Sequence, residues 1–382
     1  MNQVTALSTT DRDRALMRLA LAEAERSRGW VEPNPMVGAV VSRDGELIAI
    51  GRHERFGGPH AEVHALTAAG TAARGSTLHV TLEPCRHYGK TPPCTEAILS
   101  SGIARVVAAT ADPFPEVAGR GFERLRSAGI EVTVGVEEAA ARRLIAPFVK
   151  RVETGKPYVI AKWAMTLDGR IATVAGESRW ISGPESRSRV HETRGVVDAI
   201  LVGIGTVIAD DPMLDARPPG PRTAARVVLD ARARIPLDSR LVRTARDIPT
   251  WLAVGPDATG DAISTREVAG CRILRLPGDV HGRPLLDPLL RSLGELGVTN
   301  LLIEGGAGVL GAFFDANEVD EVDVFVAPKI FGGGTAPGPV AGIGIESPRL
   351  ARRLEDRVVT LLGDDVRIQG RTVRAAVGPR PT

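Results

Sequence analysis

"GGPHAEVHAL" (57–66) and "LEPCRHYGKTPPC" (82–94) hold a His-x-Glu triplet and two of the chain's three cysteines. Zinc takes imidazole and thiolate ligands, and His60, Cys85 and Cys94 make a set of that kind. "HAEVHALTAAGTAARG" (60–75) reads as a helix, "STLHVTL" (76–82) as a strand, and a second helix starts near Cys94 in "CTEAILSSG". Gly58-Pro59 and Pro92-Pro93 place His60 and Cys94 each at a helix opening. That placement matters, because residues i and i+2 lie about 200° apart around a helix axis. His60 and Glu62 converge on one point only near a helix end.

Outward from these segments the pattern stays α/β. Residues 11–28 read as an amphipathic helix carried by Leu16, Met17, Leu19, Ala20 and Ala24, with Gly29 past its end. "GAVVSRDGELIAIG" (38–51) reads as a hairpin turning at Asp44-Gly45. Strands at 104–110 and 130–135 alternate with helices at 119–128 and 137–150. At "KRVETGKP" (150–157) the rhythm breaks, then resumes with the strand "YVIAKWAM" (158–165). A helix over 184–195, the strand "DAILVG" (198–203) and strands near 226–230, 250–254 and 271–275 follow. A helix at 284–296, the strand "NLLIEGG" (300–306), the helix "GVLGAFFDA" and the strand "VDEVDVFVAP" (319–328) complete it. The expectation is two α/β domains, 1–150 and 157–375, joined by a linker at 151–156, with a loose tail "AAVGPRPT". Cys271 in "GCRILRL" reads as a buried strand residue without chemistry.

Composition excludes several classes. The 382 residues are 43% hydrophobic and 25% charged, enough for two or three folded domains. The formal charge of +2, with no basic block, argues against a nucleic-acid or anionic-membrane partner. No run of about 18 apolar residues suggests a membrane span, and the N-terminus lacks a basic segment followed by an apolar run. Three cysteines fit a reducing compartment, so a cytoplasmic location is expected.

The candidate chemistry is hydrolytic deamination. A His-x-Glu followed by Pro-Cys and a further Cys is the pattern of zinc deaminases acting on amino-substituted rings, with the glutamate moving protons rather than binding metal. Other readings compete. His60 and His64 stand at i and i+4 as in zinc-protease helices, but there the glutamate directly follows the first histidine. A structural zinc knuckle, and with it a non-enzymatic binding module, would need a fourth ligand from His64, His79 or His87. Two buried thiols without metal remain the plainest alternative. Asn34 resembles a base-recognition amide, or else caps a turn between Pro33 and Pro35; His53 and Lys90 are candidates for a phosphate or for solvated surface.

The eight-residue spacer "RHYGKTPP" departs from Cys-x-x-Cys. With "EPNPMVGAVV" (32–41), "GRHERFGGPHAEVHAL" (51–66), "TLEPCRHYGKTPPC" (81–94) and "DPFPEVAGRGFERLRSAGI" (112–130), it resembles the deaminase half of the bacterial bifunctional riboflavin-biosynthesis deaminase/reductases. Arg86, Lys90 and Phe114 depart from that pattern without touching the zinc set or Glu62. "AMTLDGRIAT" (164–173), "GESRWISG" (176–183), "ILVGIGTVIADDPML" (200–214), "VVLDARARIP" (227–236), "IEGGAGVLGAFF" (303–314) and "VDEVDVFVAPKIFGG" (319–333) resemble the reductase half.

The resemblance implies a cytidine-deaminase-like α/β/α sandwich with zinc, then a dihydrofolate-reductase-like α/β domain using NADPH. It implies deamination of a diaminopyrimidinone ribosylamino 5′-phosphate and reduction of its ribosyl group to ribityl. Carried over, Ala164, Trp180, Thr206, Asp210 and the segment Gly306, Ala307, Gly308, Val309, Leu310, Gly311 would contact NADPH. Asn34 would bind the deaminase substrate; Lys162, Ser178, Arg194, Leu214, Arg217 and Glu304 would hold the reductase substrate, the two arginines as forks for its phosphate. Ala231 stands where the family usually has serine, which raises the alternative of an active deaminase with a degenerate reductase. Small-molecule substrates and a homodimer or homotetramer are also implied.

Overall fold

The computed structural model describes residues 8–86, 88, 92–114 and 118–373, so His87, Lys90 and the tail from 375 lie outside the described residues. The chain divides into two compact units, Met1–Gly155 and Lys156–Thr382.

The first unit runs α1 (Thr9–Glu25), β1 (Gly38–Arg43), β2 (Glu46–Arg52), α2 (Ala61–Ala69), β3 (Thr77–Val80), α3 (Cys94–Ser101), β4 (Arg105–Ala108), α4 (Arg120–Ser127), β5 (Glu131–Val134), α5 (Glu138–Leu144) and α6 (Ala146–Thr154). The sheet order is β2-β1-β3-β4-β5. β1 is antiparallel to β2 and β3, while β3, β4 and β5 run parallel. Alternate strand residues feed two cores. Ala39, Val41, Val106 and Ala108 pack with Ala65 of α2, Ile98 of α3 and Leu125 of α4; Val40 and Val107 pack with Met17 of α1 and Ala141 of α5. The Asp44-Gly45 turn has positive φ at both residues, 54° and 88°, as a tight hairpin demands.

The helix expected over 137–150 is two helices, and the second fills most of the stretch expected as a linker. Pro147 lies in the first turn of α6, where its missing N–H costs nothing, but it cannot extend α5.

The second unit runs β6 (Tyr158–Thr166), α7 (Pro184–Arg194), β7 (Ala199–Gly203), α8 (Ile204–Asp210), β8 (Ala225–Leu229), α9 (Arg240–Arg243), β9 (Thr250–Val254), α10 (Gly260–Val268), β10 (Arg272–Arg275), α11 (Leu286–Glu295), β11 (Asn300–Gly305), α12 (Ala307–Asp315), β12 (Glu321–Ala327), β13 (Leu354–Leu362) and β14 (Asp365–Thr372). Its sheet order is β10-β9-β8-β7-β11-β6-β12-β14-β13, parallel from β10 through β12 and antiparallel at β14 and β13. The central strands are buried on both faces, which is why "AILV" reads as one apolar run. In β11 the pairing to β7 jumps from Ile303–Leu201 to Gly305–Val202, so Glu304 is an extra residue in that ladder. β13 and β14 escaped sequence reading because nearly every β13 residue is exposed, which removes the alternation that betrays a half-buried strand.

Glycine lets α2 sit flush on β2. A Cβ at Gly51 would lie 2.4 Å from Ala65 N and 2.6 Å from Ala61 O. Gly51→Ala is expected to destabilise the first unit by about 1–3 kcal/mol through overpacking, read as a lower denaturant midpoint. An unchanged midpoint would show that α2 is not held at this contact.

Candidate active sites

In the first unit, His60 is the N-cap of α2, Glu62 sits in that helix's first turn, and Cys94 opens α3. Cys85 lies in the loop after β3. His60 Nδ1 is 3.2 Å from Cys94 Sγ and 3.6 Å from Cys85 Sγ, and the three ligand atoms all lie within 4.8 Å of one another. Among the described residues no fourth protein ligand joins them, and His79 is held elsewhere by Asp13, at 2.9 Å. The donor set fits zinc, whose bonds are about 2.3 Å to sulfur and about 2.0 Å to nitrogen. Glu62 is 3% exposed, and its Oε2 is buried with no hydrogen-bond partner. An orphaned carboxylate oxygen beside a three-ligand cluster fits a group that exchanges protons with a bound molecule.

The electrostatics of these side chains agree. A hydrogen bond from Cys94 is the main cause holding Cys85 down to about 4, with His60 assisting, whereas the same pairing pushes the Cys94 thiol up. The Cys94 amide also donates to Cys85 Sγ at 3.4 Å, so the α3 N-terminus stabilises a thiolate there. Burial pushes Glu62 up to about 7.

Two side chains outside the zinc set shape the same site. Asn34 is half-buried and its amide nitrogen lies 3.2 Å from His53 Nε2. His53 is 2% exposed, and its Nδ1 is 3.0 Å from the Pro59 carbonyl. With both ring nitrogens engaged in the interior, His53 is not a surface phosphate contact. Glu83, which sequence reading passed over, accepts backbone N–H groups from Asp112, Gly119, Gly121 and Phe122. It thereby pins the Pro84-Cys85 loop to the start of α4. Its only sequence signal is a carboxylate directly before Pro-Cys, and its partners lie at least 29 residues downstream.

In the second unit, a cleft of about 1470 Å³ opens at the carboxyl ends of β7, β8 and β11. Ala164, Thr206 and Asp210 line it, and so does every residue from Gly306 to Leu310. Gly311 does not; it lies where a Cβ would meet Ala341 O at 2.2 Å. Cβ positions at Gly205, at the start of α8, and Gly308, at the start of α12, meet nothing within 4 Å, which leaves backbone open to a cofactor there. Ala231 lies on the same wall. Trp180 is 63% exposed and off the cleft wall, with the Arg187 guanidinium 4.6 Å from its ring. A long cleft with an open glycine backbone fits a dinucleotide.

Of the expected substrate residues, Lys162, Ser178 and Glu304 line the cleft. Arg194 is a bidentate partner of Glu304, at 2.6 and 2.7 Å, and gives its remaining Nη1 to the Asp215 carbonyl at 3.1 Å. Its fork is therefore filled by protein. Arg217 is exposed beside Asp215, and Leu214 buries its side chain in the core with φ 53°, leaving only backbone for a ligand.

Residues 10–110 match the cytidine and deoxycytidylate deaminase zinc-binding region, and residues 157–368 match the RibD C-terminal domain. The riboflavin biosynthesis protein RibD of Aquifex aeolicus is 43% identical over 355 residues, covering 93% of this chain and 97% of that protein. The chain belongs to the RibD family.

The RibD of Escherichia coli K12 is 39% identical, with 93% of this chain and 98% of that protein covered. Among solved structures, Acinetobacter baumannii RibD superposes with a TM-score of 0.83 at 36% identity, covering 95% of this chain and 99% of that one. A Thermotoga maritima deaminase/reductase gives a TM-score of 0.82 at 35% identity, covering 96% and 100%. The chain is thus a bifunctional enzyme of riboflavin biosynthesis, with a zinc deaminase and an NADPH-dependent reductase. A degenerate reductase finds no support, since this half matches its family across 157–368.

Within this RibD reductase cleft, charge is balanced around Glu304, whose side chain is 6% exposed. Burial works to raise its carboxyl, but the Arg194 charge and hydrogen bonds outweigh it and hold it at about 2. Burial lowers the Lys162 ammonium, with Glu304 opposing. Glu304 is depressed in the folded state, so its contribution is complete above the unfolded value near 4.5 and disappears as pH falls toward about 2. The stability gap between the native chain and Glu304→Gln should therefore be widest at neutral pH and shrink between about pH 5 and pH 2, measured by denaturant midpoints. A constant gap would mean that the ion pair adds no pH-dependent stability.

Proposed function

We propose that the first domain, residues 1–150, deaminates 2,5-diamino-6-(5-phosphoribosylamino)pyrimidin-4(3H)-one, and the second, 157–375, reduces the ribosyl group of 5-amino-6-(5-phosphoribosylamino)uracil. The Thermotoga protein is named for both activities, diaminohydroxyphosphoribosylaminopyrimidine deaminase and 5-amino-6-(5-phosphoribosylamino)uracil reductase. The observation that carries the deaminase reading is the orphaned Glu62 oxygen beside His60, Cys85 and Cys94.

His60, Cys85 and Cys94 would hold the zinc. When bound, zinc supplies the Lewis acidity that brings water within reach of deprotonation near neutral pH. Glu62 Oε2 takes the proton of the attacking water and returns it to the leaving amine, so one carboxylate serves both halves of the substitution. Asn34 holds the ring.

In the reductase, Thr206, Asp210, Ala164 and the Gly306–Leu310 backbone would hold the cofactor, with Trp180 at its exposed edge. When bound, NADPH supplies the hydride. Lys162, Ser178 and Glu304 orient the sugar, Arg217 meets the phosphate, and Leu214 contributes backbone. Arg194 keeps the Glu304 carboxylate charged and in place rather than gripping phosphate itself.

We also assign the chain to the cytoplasm, as a homodimer or homotetramer working on small molecules without nucleic acid. Its helices include none long and apolar enough to cross a membrane among the described residues.

Glu62→Gln should cut ammonia release by roughly 10²–10⁴-fold while zinc stays bound, measured by metal analysis on the same preparation. NADPH oxidation by that variant should still proceed with deaminated product and fail with the diamino substrate. Full ammonia release from Glu62→Gln would remove the carboxylate from the mechanism.

A further inference from the structure

We propose that His53 is a positioning residue of the deaminase, fixing the Asn34 amide so that its oxygen is left to accept a hydrogen bond from an N–H donor on the substrate ring. This rests on the assignment of Asn34 to base recognition.

A carbonyl oxygen can only accept a hydrogen bond. Pro59 O lies 3.0 Å from His53 Nδ1, so that nitrogen carries the hydrogen. The Asn34 amide nitrogen, 3.2 Å from Nε2, can only donate, so the ring accepts at Nε2 and carries its hydrogen on Nδ1. Nε2 therefore presents a lone pair, which only the NH₂ group of Asn34 can satisfy. An inverted amide would set oxygen against the lone pair.

The consequence falls on Oδ1. Among the described residues the side-chain hydrogen bond of Asn34 runs through Nδ2, not Oδ1, and Asn34 is only half-buried, so a ligand can reach the oxygen. The site lies beside the chemistry: the His53 ring packs edge-on against the His60 ring, 5.3 Å between centroids. The residue that sets the His53 proton, Pro59, directly precedes His60, and the His53 amide donates to Val37 O at 2.9 Å. The main chain that places the first metal ligand thus also sets which atom of Asn34 faces outward. The substrate selected is a ring with an amino or ring N–H on the edge that meets Asn34. An analogue with an acceptor there would leave two lone pairs opposed.

The test uses the full-length zinc-loaded enzyme, with kcat/KM for ammonia release from the diaminopyrimidinone substrate, zinc content and circular dichroism measured together. His53→Gln keeps a donor for Pro59 and an acceptor for Asn34, and should retain most of kcat/KM. His53→Phe should lose roughly 10–100-fold, as for a mispaired hydrogen bond. Asn34→Ala should lose a similar factor, and the double variant should be no worse than Asn34→Ala alone, because both act through one contact. Additive losses would overturn the proposal, as would a His53→Phe enzyme with native kcat/KM beside a crippled Asn34→Ala enzyme; base recognition by Asn34 would then stand alone. A fully active Asn34→Ala enzyme removes that underlying assignment and this inference with it. If His53→Phe loses zinc or fold, His53→Glu replaces it, since a carboxylate of similar reach cannot donate to Pro59. Glutamate failing where glutamine works supports the proposal, and equal behaviour of the two overturns it.

Discussion

Parallel strands impose one constraint on both units. A strand can lie parallel to its neighbour only if the chain crosses back along a helix, so the carboxyl ends of successive strands collect at one edge of the sheet. In the first unit β3 and β4 are such neighbours, and Cys85 and Asp112 lie in the segments that leave their ends. In the second, β7, β8 and β11 deliver Thr206, Ala231 and Gly306 to the same cleft. Both chemistries sit where loops have room to vary and where the helices that follow begin, with unpaired amides facing the ligand.

What the sequence makes legible follows from range. His60 and Cys94 were readable because prolines just before them mark helix openings a few residues away, and the structure has them at the N-cap of α2 and the first position of α3. Glu304 through Leu310 was readable because an apolar strand runs straight into glycines. The Glu83 clamp was not, because its amides come from residues far along the chain and backbone groups carry no side-chain signature. The roles of Arg194 and His53 were not readable either. Their chemistry is set by which neighbour fills them, Glu304 and Asn34, and composition does not say whether a fork or a ring nitrogen is free. β13 was lost for a different reason, since a strand with both faces wet has no period to detect.

The two sites handle buried charge in opposite ways. Glu304 is neutralised by Arg194 before any ligand arrives, so the reductase cleft holds its carboxylate ionised and its geometry set. Glu62 has no such partner on Oε2, and burial brings its carboxyl near neutrality. A residue that must hold still is paired. One that must pass a proton is left with an atom to spare.

The extra residue at Glu304 carries a further consequence. Side chains alternate along a strand, so the bulge against β7 offsets by one place everything after it relative to that neighbour. β11 is in effect read in a frame. An insertion before Asn300 falls in the connection and leaves the frame alone, whereas losing one residue between Ile303 and Gly306 would turn the carboxylate away from the cleft and shift the glycines at the head of α12. Among descendants of this chain, length changes should be tolerated in the approach to β11 and purged within it, even where the substituted residues look conservative.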